Sequence, residues 1–265
     1  ALFVSNGESN VAMGYFALAS NTSGIRNTAV GGDVSGTNYG ALYANTTGDL
    51  NSAFGNSALV SNSTGSYNVG LGAGALYSNT TASNNTAVGY QAAYTNATGS
   101  RITAVGFQAG YTSAVVSANA FNTYLGYQAG YYDATGIHNT FLGYASGPNA
   151  TPSASGSYNT AIGSLAGIAM TSGSSNTSLG YQALYSNTTA NNNTAVGSQA
   201  GYSNTTGTAN TFVGTGSGYS MTTANYTTYV GASAGYYQTG GQNTAFGSNA
   251  FQGSTTPANN TGTLN

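Results

Sequence analysis

The sequence predicts an all-β fold: a repetitive parallel β-solenoid (a β-roll) with about 17 residues per coil and about 14 coils. Three observations carry this reading. The chain matches itself at a fixed step, so that Thr-Ala-Val-Gly stands at Thr28, Thr86, Thr103 and Thr194 and close variants stand between them. One position of the repeat is glycine in every copy. The windows between are Gly, Thr, Asn, Ser and Ala, without the runs of strong helix formers that a helical repeat needs.

Copies begin at Asn10, Asn27, Asn51, Asn68, Asn85, Ile102, Asn122, Asn139, Asn159, Asn176, Asn193, Asn210, Thr227 and Asn243. These residues are position 1 of the repeat. Positions 1–4 read as a short strand, and roughly 7–11 as a second. Position 5 is the bend, where glycine accepts a backbone that a side chain would strain. The bend glycines include Gly31, Gly89, Gly106, Gly126, Gly143, Gly163, Gly180, Gly197, Gly214 and Gly231. Asn-Thr-Thr-Gly at positions 12–15 is turn chemistry and closes the coil. Position 4 is apolar in every copy. Val30, Val88, Val105, Leu125, Leu142, Ile162, Leu179, Val196, Val213 and Val230 are therefore expected to form one buried structural ladder.

The repeat sets the organisation. Residues 1–9 read as the end of a preceding coil or a linker, 10–259 as the solenoid, and 260–265 as the start of a further coil. Length changes near residues 33–39, 112–121 and 148–152 all avoid positions 1–5, as expected of loops outside the stacked strand. Fourteen coils at about 4.8 Å each give an expected rod on the order of 65 Å.

Composition excludes several functions. Only 2% of residues are charged. Such a surface cannot neutralise a run of phosphates, so nucleic acid is not an expected partner. No apolar run reaches membrane-spanning length, so no membrane insertion is expected. There is no cysteine, which removes disulfides and thiolate metal sites.

No catalytic residue, metal site or cofactor is expected. Gly231-Ala-Ser233-Ala-Gly235 matches the nucleophile-elbow pattern, but its glycines are positions 5 and 9 of the repeat. The only histidine, His138, lies several coils away. Gly214-Thr-Gly216-Ser-Gly218 lacks the lysine of a phosphate loop. Asp33, Asp49 and Asp133 are too far apart in coil count to pair.

Two features suit binding. Asn-x-Ser/Thr sequons fall at position 12, at Asn21, Asn45, Asn62, Asn79, Asn96, Asn187 and Asn204, and are candidate glycosylation sites if the turn is exposed. The simpler reading, turn chemistry alone, is preferred. Tyrosine recurs at position 10; spacing alone leaves open whether it faces in or out. Position 3, which mixes Ala with Tyr124, Phe141, Phe212 and Tyr229, is the other candidate for an outward stripe.

Asn10-Val11-Ala12-Met13-Gly14 and Asn68-Val69-Gly70-Leu71-Gly72 resemble the head repeat of YadA-type trimeric autotransporter adhesins. The longer form, Asn193 through Gly207, resembles repeats of phage-type tail-fibre proteins. Threonine here takes the place of the adhesin repeat's valine at position 2 in most copies. The resemblance implies a parallel β-roll assembled as a homotrimer, working as an adhesin head or fibre shaft, extracellular, at a cell surface or on a virion. Its partners would be further copies of itself, with surface glycans or a host receptor as ligands. A self-polymerising filament is the alternative. An ice-binding solenoid using the position-2 threonines ranks below both.

Overall fold

In a computed structural model the chain is an all-β parallel solenoid with about 17 residues per turn. The structure describes residues 7–32, 39–113, 119–150 and 152–253. The expectations for residues 1–6 and 260–265, Asp33, and much of the three length changes lie outside them. The chain divides into two compact units, Ala1–Ile137 and His138–Asn265. The first holds strands β1 (Val11–Met13), β2 (Thr28–Val30), β3 (Ser52–Phe54), β4 (Val69–Leu71), β5 (Thr86–Val88), β6 (Thr103–Val105) and β7 (Thr123–Leu125). The second holds β8 (Thr140–Leu142), β9 (Thr160–Ile162), β10 (Thr177–Leu179), β11 (Thr194–Val196), β12 (Thr211–Val213), β13 (Thr228–Val230) and β14 (Thr244–Phe246). Within each unit consecutive strands pair in parallel, position for position: Thr177 with Thr194, and Leu179 with Val196.

Each strand covers positions 2–4 and ends at the position-5 glycine. The ten bend glycines named above have φ between +125° and +142°. A Cβ on Gly197 would stand 2.6 Å from the carbonyl carbon of Gly214 one coil on. Backbone conformation and close approach both demand glycine there.

The expected second strand over positions 7–11 is instead a run of turns. In the coil from Asn68, Ala75, Tyr77 and Asn79 donate their backbone N–H to the carbonyls of Gly72, Gly74 and Leu76, each three residues back. Gly74 and Leu76 have φ of +67° and +52°. Positive φ at the third residue is what a type II turn requires. The N–H groups left over point along the stack: Gly74 donates to Asn56 O of the previous coil, and Leu76 and Ser78 donate to Ala92 O and Tyr94 O of the next. Leucine and glutamine adopt this left-handed backbone at a cost, and hydrogen bonds to both neighbouring coils hold them there.

The interior is built from positions 3, 8, 9 and 12. Position 3 is buried in β2 to β14, and positions 2 and 4 are not. This corrects the expected ladder. Val30, Val88, Val105, Leu125, Leu142, Ile162, Leu179, Val196, Val213 and Val230 all face outward. Tyr124, Phe141, Phe212 and Tyr229, read as a candidate outer stripe, are fully buried. The reason is width. Where positions 3 and 9 meet, a coil this short has room for one large side chain, and the chain divides that volume between the two positions. Where position 9 is Leu (Leu42, Leu59, Leu76, Leu184), position 3 is Ala, Gly or Ser. Where position 3 is aromatic, position 9 is Gly: a Cβ at Gly218 would run into the Phe212 ring, and one at Gly235 into Tyr229. In the coil from Asn159 the large group is Met170, against Gly167.

Asparagine fills the rest of the interior. At position 1, Asn193 Oδ1 accepts the Asn210 N–H at 2.9 Å, and its Nδ2 donates to Gly207 O at 2.8 Å. Its own N–H donates to Asn176 Oδ1 at 3.0 Å. An amide carries both a donor and an acceptor, so it closes a hydrogen bond within its coil and passes one to the next. Position 12 does the same: Asn62 Nδ2 donates to Gly65 O at 3.0 Å, and its Oδ1 accepts from Asn79 Nδ2 of the next coil at 2.7 Å. Without these side chains the return turn would bury unpaired backbone groups.

Candidate interaction surface

The sequon asparagines are not on exposed turns. Asn21, Asn45, Asn62, Asn79, Asn96, Asn187 and Asn204 are all buried, with amides spent on the inner ladder. A glycan on any Nδ2 would require that amide to leave the interior. Turn propensity and the sequon are both by-products of a buried asparagine stack.

The acids and the histidine do not converge. His138 stacks on Tyr158 with ring centroids 5.0 Å apart. Asp49 Oδ1 accepts the Ile25 N–H at 2.8 Å. Asp133 lies inside the coil. It takes the place of the position-12 asparagine, is fully buried, and accepts the Tyr124 hydroxyl at 2.9 Å and the Gly136 N–H at 3.2 Å. Burial, then the charge of Asp133, holds the Tyr124 phenol well above its ordinary range. Among the described residues no group of three or more His, Asp or Glu could hold a metal ion. Ser233 lies at position 7 with φ +53°, and its N–H donates to Thr215 O.

The outer surface has a different composition from the inner one. On the sheet face, position 2 presents threonine in every copy except at Val11, Ser52 and Val69, and position 4 presents Val, Leu, Ile, Met or Phe. In the second unit the threonine rank is unbroken from Thr140 to Thr244. Leu71, Leu125, Leu179 and Phe246 are among the exposed apolar groups, and no charged residue stands at either position in any copy. Strand alternation makes this face, because position 3 turned inward, whether small or aromatic, forces positions 2 and 4 out.

Across the glycine bend, positions 6, 7 and 10 form a second outer surface of ladders. Tyr77, Tyr94, Tyr111 and Tyr131 stack ring on ring, with centroids 4.7–5.2 Å apart. Tyr185, Tyr202, Tyr219 and Tyr236 do the same in the second unit, at 4.7–4.9 Å. The position-10 tyrosines thus face outward, which spacing left open. Tyr90, Phe107 and Tyr127 stack at position 6. Between the two lies a glutamine ladder: Gln128 Nε2 donates to Gln108 Oε1, and Gln108 Nε2 to Gln91 Oε1, both at 2.9 Å. Every ladder repeats at the coil spacing, so ring stacking comes with the backbone register.

Stacking also shifts the phenols. Desolvation by packing, then the charge that neighbouring phenolates would carry, raises Tyr94, Tyr202, Tyr131 and Tyr236 above their ordinary value near 10. Burial takes Tyr229 to about 12. A raised phenol favours the neutral form in the fold. The stability it contributes is fully present below pH about 10 and is lost as pH rises through the folded-state value. Alkaline titration followed by circular dichroism and tyrosinate absorbance is therefore expected to show unfolding together with ionisation above pH about 10, and no comparable loss between pH about 5 and 9. Tyrosines that all ionise near 10 without structural change would contradict this.

No family model matches the chain, and neither the curated proteins nor the solved structures searched contain a significant match.

Proposed function

We propose that this chain is a non-catalytic structural and adhesive segment of an extracellular fibre, such as an adhesin head or tail-fibre shaft, that assembles with copies of itself through its sheet face. The supporting observation is the outward, uncharged rank of threonine and apolar side chains at positions 2 and 4. A repeating apolar stripe of this kind exceeds what soluble monomers usually leave open. With no like charges on the face, nothing repels a second copy. A parallel homotrimer is the assembly that the adhesin resemblance implies, with the face turned to the axis. End-to-end polymerisation into a filament is the alternative assembly. Surface glycans or a host receptor are the ligands in view, and a cell surface or virion the location.

Analytical ultracentrifugation of the soluble chain tests this reading. The wild type is expected to sediment as a trimer at micromolar concentration. Val196→Asp is expected to sediment as a monomer with an unchanged circular dichroism spectrum, because it places a carboxylate on the outer face of every copy. Its intrinsic stability should change by less than about 1 kcal/mol, as for other surface substitutions. A wild-type monomer would overturn the assembly. The unbroken threonine rank of β8–β14 would then favour the second reading, ordered-water or ice binding, for which thermal hysteresis of the dilute monomer is the measure.

A further inference from the structure

The position-6 and position-10 ladders do not run the length of their unit, and one place where they stop is a cavity. Tyr90 stacks on Phe107 on one side. On the other side the equivalent residue one coil earlier is Ala73, so that ring face meets no ring, and Tyr90 is 48% exposed. Beside it position 7 is Gly74, where most neighbouring coils carry Gln or Ser. The result is a notch of about 340 Å³ walled by Tyr90 on one side and Tyr77 and Tyr94 on the other. It is large enough for one or two six-membered sugar rings.

Its polar groups are amides. Gln91 ends the glutamine ladder: its Oε1 accepts from Gln108, while its Nε2 has no hydrogen-bond partner among the described residues. Asn56, at position 6 two coils before Tyr90, accepts the Ser57 hydroxyl on its Oδ1 at 2.8 Å, and its Nδ2 has no partner among the described residues. Tyr77 and Tyr94 form the far wall. Among the described residues no charged side chain lines the notch. A flat apolar ring face flanked by amide donors fits a ligand with one apolar face and a rim of neutral hydroxyls. A charged ligand would find no countercharge, and a purely apolar one would leave the amides unpaired.

We propose that this notch is a binding site for a neutral pyranose of a glycan chain, the ring stacked on the open face of Tyr90 with its hydroxyls on Gln91 and Asn56. The proposal deepens the adhesive reading above by giving it a ligand class, and it does not depend on the trimer. The site lies where the aromatic run of position 6 ends, at Ala73-Gly74 of the coil from Asn68. The coil from Asn85 carries Tyr90-Gln91 where the coil from Asn68 carries Ala73-Gly74, and the Gln91 backbone already takes a positive φ of +51°.

That supplies a plug that the fold accommodates. Ala73→Tyr with Gly74→Gln rewrites the earlier coil in the sequence of the later one and extends both ladders across the notch. Titrations with cellotetraose, maltotetraose and chitotetraose, read by ligand-observed NMR and by shifts of labelled tyrosine rings, test the site. At least one is expected to bind the wild type saturably, and the plugged variant at least tenfold more weakly. Tyr90→Ala should lose binding by a similar factor. Sedimentation and circular dichroism of the plugged variant should match the wild type, which separates loss of the site from loss of fold or assembly. No saturable binding of any of the three by the wild type, or equal binding by the plugged variant, would overturn the proposal. A monomeric chain that still bound through Tyr90 would leave it standing while sinking the trimer.

Discussion

Phe212→Ala is expected to lower the unfolding midpoint of the second unit by on the order of 10 °C, and Gly218→Leu in the same chain to restore more than half of the loss. Phe212 is fully buried and packs with Leu184, Met221 and Tyr229 in one cluster. Truncating such a ring costs about 3–5 kcal/mol through lost burial and the cavity left behind. For a unit of this size each kcal/mol moves the midpoint by roughly 2–4 °C or more. The ring occupies the space that a Cβ at Gly218 would need. The double variant, with its leucine at position 9 and alanine at position 3, would recreate the pairing of Ala53 with Leu59 found in the coil from Asn51. Leucine at that backbone costs about 1–2 kcal/mol, which keeps the rescue incomplete. Gly218→Leu alone forces a second large group into a full interior and should destabilise more than Phe212→Ala does. Urea melts of the four chains form a double-mutant cycle. A double variant no more stable than Phe212→Ala would show that positions 3 and 9 do not share one volume.

Asn193→Ala is expected to destabilise the second unit by roughly 1–3 kcal/mol, because it orphans the Asn210 N–H, while the Gly207 carbonyl loses one of its two amide donors and keeps Asn204. The bonds lost are those of 2.9 and 2.8 Å already described, and the site is buried. Asn193→Asp separates the donor from the acceptor. The introduced carboxylate still accepts from Asn210, but it faces the Gly207 carbonyl with no proton to give. Its protonated form can donate, so the folded-state pKa of this carboxyl group is expected to lie above its unfolded value. Stability of the variant should then be higher near pH about 4 and fall as pH rises toward about 7. Urea melts at both pH values measure it. Equal stability at the two, or a wild-type midpoint for Asn193→Ala, would show that water can stand in for the ladder.

Consensus positions behave differently from the places where the repeat is broken. Tyr90 stacks like its neighbours; what makes a notch beside it is the absence of a ring at Ala73. The chain carries its own controls, since each irregular coil can be rewritten as a regular one. That is why both the plug and the interior swap use residues already present elsewhere in the sequence.

The 17-residue period, the parallel coil and the bend at position 5 were legible in the sequence, because each follows from identity at a fixed step and from glycine where no other residue fits. Which face is inside was not. A three-residue strand alternates, but alternation alone assigns no sign, and the apolar position 4 drew the core to the wrong side. The decisive signal was present in the exchange of size between positions 3 and 9, as in Phe212 with Gly218 against Ala53 with Leu59. Its meaning depends on the two side chains meeting across a narrow coil, which only the tertiary structure decides. The turns at positions 7–11 were hidden because Leu76 and Gln91 take a backbone that their own preferences disfavour; hydrogen bonds from adjacent coils supply the compensation. The sequon asparagines looked like surface turns for the same reason. Asn-Thr-Thr-Gly has identical local chemistry inside or outside, and it is the stacking of one coil on the next, with backbone groups to satisfy beneath it, that turns those amides inward.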